Sequence, residues 1–277
     1  MPIQDIKRVQ YDALQCLNYS GSKILLSKSP AHYQLFLNNP SPETKALRIG
    51  KLTHACVLQN ELFQKYKPLP DVDRRTKEGR EVVKFFQDNL KEDEEAVDAD
   101  EYEMALKLGD AMTALLEKHG ISKPVATEMT CLSIENEHCT IKSSIDYVAE
   151  DADGKVWLVD LKSCEAGGAS PKEFLKTAYQ YMYHLQAVTY MRAFEKYTKV
   201  KPMGFRFCVV EKDTFIGAVY ELGPQILADG FIKLETAIKL YTECTKTGVW
   251  PGYSDGSTIK TLDWENKATT GTPITFA

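Results

Sequence analysis

Val156-Trp157-Leu158-Val159-Asp160-Leu161-Lys162 is a run of four apolar residues followed by two charges that flank a leucine. Turn-forming residues Asp151-Ala152-Asp153-Gly154 precede it, so 156–159 reads as a buried strand. Residues two apart on a strand share a face. Asp160 and Lys162 therefore project together at the strand end, and Leu161 turns to the other side. A carboxylate and an ammonium fixed side by side can hold a divalent cation and orient a water. A solvated ion pair at a strand end is the ordinary alternative, and the tripeptide alone does not choose between them.

The flanking sequence adds to the signal. Residues 125–134 and 139–147 are rich in β-branched side chains, with Glu135-Asn136-Glu137 between them as a turn. With 156–159 they make three strands in succession joined by tight turns, an antiparallel meander. Asp146 closes the middle strand. The turn centred on Asp153 lies midway between 146 and 160, so Asp146 and Asp160 are near neighbours. Two facing carboxylates repel unless a cation sits between them, and hard oxygen ligands select Mg²⁺ or Mn²⁺.

Downstream, Ser170-Pro171-Lys172-Glu173 predicts a helix start with a capping box, running to about residue 197. It is rich in tyrosine (Tyr179, Tyr181, Tyr183, Tyr190), and it carries Gln186 and Tyr190 four apart on one face. Strands at 204–210 and 214–221 and a helix at 224–247 follow. Upstream, one helix is predicted from Ser20-Gly21-Ser22 through Leu37, with Ile24, Leu25, Tyr33 and Leu37 on a common face. Pro40 and Pro42 then break the chain. A second helix over 43–58 buries Leu47, Leu52, Ala55 and Leu58 and carries His54. The polar loop 71–77, with Arg74 and Arg75, enters a third helix, and the acidic stretch 91–100 leads to a fourth ending near Gly120. The order helices, βββ, α, ββ, α describes a mixed α/β chain, not a doubly wound parallel sheet.

Composition narrows the function classes. With 277 residues, 43% hydrophobic and 26% charged, the chain is ordinary globular material, which excludes collagen, coiled-coil and disordered readings. No apolar run approaches the roughly 18–20 residues of a membrane span. The N-terminus lacks a secretory signal, so a cytoplasmic location is expected. Seven cysteines, none in a close pair, argue for buried reduced thiols over a structural zinc or iron–sulfur clamp. The net charge of −5 is not that of a protein coating nucleic acid, yet residues 1–90 carry +5 and residues 91–119 carry −7. Basic residues gathered in one channel can still take a polyanion.

Taken in order, Gly50…His54, Asp146, Asp160-Leu161-Lys162 and Gln186-Ala187-Val188-Thr189-Tyr190 resemble the PD-(D/E)XK (RecB-like) nuclease superfamily. Ser22-Lys23…Ser29-Pro30-Ala31, Arg74-Arg75-Thr76-Lys77-Glu78-Gly79, Ala178-Tyr179…Tyr183-His184-Leu185-Gln186 and Trp250-Pro251 extend the likeness over most of the chain. They make it similar to the RecE-type exonucleases, the exonuclease VIII group of phage recombination enzymes. The resemblance implies a nuclease core: a central mixed β-sheet flanked by helices, with a helical N-terminal part. It implies Mg²⁺, with Mn²⁺ able to substitute, and 5′→3′ digestion of linear double-stranded DNA. The 3′ strand left is for a single-strand annealing partner, and many such enzymes form rings.

Carried onto this sequence, the resemblance makes His54, Asp146, Asp160 and the Leu161 carbonyl metal ligands. Lys162 positions the water, Glu128 is a more variable acidic position, and Gln186 and Tyr190 flank the site. Arg74 and Arg75, before a helix N-terminus, are candidates for a 5′-phosphate, with Arg48 as the rival. The chain is expected to be a single domain over 1–277: a helical part at 1–120, the core at 121–250 and a tail at 251–277. Two other readings stay open, a DNA-end-binding module with a silent nuclease fold and an endonuclease of the same superfamily.

Overall fold

A computed structural model describes residues 8–39, 42–121 and 124–253. In chain order the elements are α1 (Arg8–Ala13), α2 (Tyr19–Ser27), α3 (Pro30–Asn38), α4 (Lys45–Leu58), α5 (Asn60–Phe63), β1 (Tyr66–Pro68), α6 (Lys77–Asp88), β2 (Glu95–Val97) and α7 (Ala99–Lys118). The second part holds β3 (Pro124–Asn136), β4 (Cys139–Glu150), β5 (Val156–Cys164), α8 (Pro171–Gln180), α9 (Tyr183–Thr198), β6 (Gly204–Glu211), β7 (Gly217–Glu221) and α10 (Pro224–Thr247).

Five strands form one mixed sheet in the order β3-β4-β5-β6-β7. The first three are the expected antiparallel meander, β6 runs parallel to β5, and β7 returns antiparallel. The α8–α9 crossover is what a parallel β5–β6 pair requires. It covers one face, where Phe174, Ala187 and Phe194 pack on Leu158, Phe205 and Phe207. On the other face Ile49 and Leu58 of α4 and Leu108, Met112 and Leu116 of α7 pack on Tyr147, Val159, Leu161 and Cys208. A Cβ at Gly109 would sit 2.8 Å from Cys56 Sγ, so glycine there lets α7 lie against α4. The alternation on β5 is thereby fixed. Leu158 faces α9, Val159 and Leu161 face α4 and α7, and Asp160 and Lys162 join the α9 side.

Several sequence expectations need correction. The helix predicted from Ser20 to Leu37 is two helices, because the residue before a proline is driven out of α geometry. Ser29 is extended and its side chain accepts from the His32 N–H, with Pro30 opening α3. The helix predicted from 170 to 197 also breaks, at Met182, which adopts φ +56°. The Ser170 capping box does not form, since the Ser170 hydroxyl donates to the Gly167 carbonyl instead. Leu37 and Leu47 are exposed, not part of a buried stripe. Asp146 does not close β4, which continues to Glu150, and β5 runs on to Cys164. β7 starts at Gly217, after a turn in which Phe215 has φ +57°. The small parallel pair β1–β2, α1 and α5 were not anticipated. Pro40 and most of the tail lie outside the described residues.

Candidate active site

The site forms where β4 and β5 part. Their ladder ends at Tyr147 opposite Val159. Beyond it the Leu161 N–H donates not to a backbone carbonyl but to Asp146 Oδ2, at 2.9 Å. A side chain thus satisfies a buried amide that the ladder would otherwise have used. Asp160 is buried. Its Oδ1 accepts from Gln186 Nε2 of α9 at 2.5 Å, and its Oδ2 forms an ion pair with the Lys162 ammonium but takes no aligned hydrogen bond. Lys162 Nζ also lies 4.9 Å over the ring of Tyr183.

On the other side, α4 brings His54 to the same strand ends. His54 Nε2 is 3.2 Å from the Leu161 carbonyl, and Nδ1 is 3.7 Å from Asp146 Oδ2 and 3.8 Å from Glu128 Oε1. Ligand atoms of His54, Glu128 and Asp146 all lie within 4.8 Å of one another. Glu128 reaches this position from β3 through φ +48°, a left-handed conformation that costs a non-glycine residue of order 1–3 kcal/mol. Ser144 Oγ holds it by donating to Oε2 at 3.1 Å. An imidazole, two carboxylates and an adjacent main-chain carbonyl are a donor set that could hold a divalent cation.

The electrostatics fit that role. Burial pushes the Asp146 carboxyl up, and Asp160 and Glu128 push it further against the opposing pull of His54. Burial opposes charge on His54, but Asp146, Glu128 and Asp160 outweigh it and raise its pKa to about 9. Burial likewise opposes charge on Lys162, yet Asp160 and Asp146 hold its pKa above the ordinary lysine value, so it remains an ammonium. Without a metal, a protonated His54 therefore offsets part of the carboxylate charge. To ligate a metal, His54 must lose that proton. The apparent affinity for Mn²⁺ should rise with pH by up to about tenfold per unit from pH 7 and flatten near pH 9. The His54→Ala variant should flatten the rise. Calorimetric titrations across this range check it, and equal affinities at pH 7 and 8.5 would remove His54 from the ligand set.

Of the residues singled out in the sequence, the structure gathers His54, Glu128, Asp146, Asp160, Leu161, Lys162 and Gln186. Tyr190 lies beside Gln186, and burial followed by the charge of Asp160 keeps it a neutral phenol. Two roles shift. Glu128 stands with His54 and Asp146, whereas Asp160 is turned toward Lys162 and Gln186. The arginines are engaged elsewhere. Arg48 is held bidentately by Glu101, with Nε at 2.8 Å and Nη2 at 2.6 Å. Arg74 contacts Asp98 at 3.3 Å, and Arg75 lies 3.0 Å from Asp73. Tyr183, under Lys162, was not singled out, although the tyrosine richness of its helix pointed to that neighbourhood.

A five-stranded mixed sheet between helices, with an acid–x–lysine strand end facing a second acidic strand and a histidine, is the architecture of a PD-(D/E)XK nuclease core. The chain belongs to the PDDEXK-like domain of unknown function DUF3799, whose family model matches residues 20–260. The crystal structure of a candidate exonuclease from Eubacterium rectale superposes with a TM-score of 0.57 at 13% identity, covering 95% of this chain and 97% of that one. At that identity the likeness shows the fold alone. The structure of SSO0001 overlaps at a TM-score of 0.35 and 13% identity, over 81% of this chain and 76% of that one, too loosely to carry an argument. No curated protein matches the sequence. Among the described residues no helix is long and apolar enough to cross a membrane.

Proposed function

We propose that this chain is a metal-dependent deoxyribonuclease that uses Mg²⁺, or Mn²⁺ in its place, to digest linear double-stranded DNA 5′→3′. The observation that carries the hydrolytic reading is the convergence of His54, Glu128 and Asp146 within 4.8 Å, with Asp146 bonded to the N–H of Leu161 between Asp160 and Lys162. A divalent cation held there supplies a water of lowered pKa and positive charge beside the scissile phosphate. Lys162 adds a fixed ammonium that orients the water and offsets charge developing on the phosphoryl oxygens. Asp160 holds Lys162, Gln186 holds Asp160, and Tyr183 supports the ammonium from beneath. End dependence, direction, the annealing partner and a ring assembly rest on the ordered motif set shared with RecE-type enzymes. Arg74 or Arg75 would have to leave its carboxylate partner to take a terminal phosphate.

The test compares a linear duplex, labelled at the 5′ or the 3′ end, with a closed-circular duplex of the same sequence followed by its topology, each with Mg²⁺ and with EDTA. The expected result is loss of 5′ label as mononucleotide from the linear form only, and none in EDTA. Nicking of the circle would make the protein an endonuclease. Retention of both substrates with Mg²⁺ and with Mn²⁺ would make the fold catalytically silent.

A further inference from the structure

Beyond Lys162 lies a second cation for which no role has been assigned. Lys23, on α2, projects its Nζ between two tyrosine rings, 5.5 Å from the centroid of Tyr19 and 5.5 Å from that of Tyr181. The Tyr19 hydroxyl donates to the Tyr181 carbonyl, which ties α2 to the α8–α9 junction. Tyr181 in turn stacks on Tyr183, with centroids 5.9 Å apart and planes at 20°, and Tyr183 carries the Lys162 ammonium on its ring. A continuous strip of rings and ammonium groups thus leads outward from the catalytic lysine. Burial disfavours charge on Lys23, and repulsion from Lys162 disfavours it further. Among the described residues Lys23 has no carboxylate partner. Tyr181 is 46% exposed, so the strip is open to a ligand on that side.

Lys162 is paired with Asp160, but the Lys23 ammonium beside it is matched by no acid among the described residues, so it can take an anion, and the exposed Tyr181 ring next to it suits the flat face of a base. We propose that Lys23 and the ring of Tyr181 form the subsite for the nucleotide next to the scissile phosphate, Lys23 contacting its phosphodiester and Tyr181 stacking on its base or sugar. This rests on the nuclease reading above and names how the same site grips its strand.

The test measures binding of a 5′-phosphorylated 20-base-pair duplex by fluorescence anisotropy in Ca²⁺ across a salt series, and steady-state cleavage in Mg²⁺, for folded variants. Lys23→Met should raise KM about tenfold with a much smaller change in kcat, and reduce the log–log salt slope by about one. Lys23→Arg should restore both. Tyr181→Ala should raise KM about tenfold and leave the salt slope alone, while Tyr181→Phe should behave as wild type. If the wild-type protein cleaves but Lys23→Met keeps its KM and slope, the subsite is wrong and the nuclease reading stands. If Lys23→Met loses kcat alone, Lys23 acts in the chemical step and not in strand binding. A wild-type protein that neither binds nor cleaves DNA overturns both.

Discussion

Lys162→Met is expected to reduce cleavage at saturating DNA by about 10²–10³-fold while leaving binding of Mn²⁺ nearly intact. The expectation follows from where the ammonium sits. It is held by Asp160, supported by the ring of Tyr183, and kept charged by two carboxylates, but it belongs to no potential ligand set. The substitution has a second consequence. Asp160 is buried, and removing its counter-ion leaves a carboxylate whose remaining partner is the amide of Gln186. Breaking a buried pair from one side costs about 3–5 kcal/mol. The single variant should therefore melt well below wild type. Asp160→Asn/Lys162→Met, which removes both charges, should recover most of that stability and none of the activity. Calorimetry in EDTA together with a cleavage assay separates the two effects. A double variant that regained activity would show that Lys162 is structural.

The elements nearest the site were legible because they obey local rules. The alternation around Leu158 and Asp160 survives in the structure because each face of β5 meets a different helix layer. The pairing of Asp146 with the neighbourhood of Asp160 follows from hairpin arithmetic, and the register ending at Tyr147 opposite Val159 bears it out. What could not be read depends on contacts distant in sequence or on unusual backbone. Glu128 reaches His54 only through a left-handed φ, which nothing in Ala126-Thr127-Glu128-Met129 announces. The break at Met182 has no proline or glycine to mark it, whereas the break at Ser29-Pro30 carries its signal in the proline, against the helical periodicity that runs across it. The engagement of Arg48 by Glu101 joins residues 53 apart in sequence, beyond any local pattern. Lys23 illustrates the same limit. Its position in α2 is ordinary, and only the fold brings it to the tyrosines that connect it to Lys162.

Asp146→Asn should produce opposite changes in activity and in stability. The asparagine Oδ1 can still accept from the Leu161 N–H, so the strand ends keep their geometry. Its amide brings no charge to the cation, and cleavage should fall by about 10³-fold or more, the charge stabilisation that a bound metal supplies being lost. The stabilising effect of added Mn²⁺ on the melting temperature should vanish with it. Metal-free stability should move the other way. Burial and two neighbouring carboxylates raise the Asp146 pKa above its unfolded value, so its ionisation weighs against the fold. That penalty is absent below the unfolded pKa near 4. It grows as pH rises toward the folded pKa and is complete above it. At pH 8 in EDTA the variant should therefore be more stable than wild type, by an amount on the order of 1–3 kcal/mol, and the gain should shrink as pH falls toward 4. Melting curves at pH 8 and pH 5, with EDTA and with Mn²⁺, give all four comparisons. A variant less stable than wild type at pH 8 without metal would mean that attraction to His54 outweighs the crowding of carboxylates. The site would then be balanced without a cation, and the main electrostatic reason for placing a metal there would be gone.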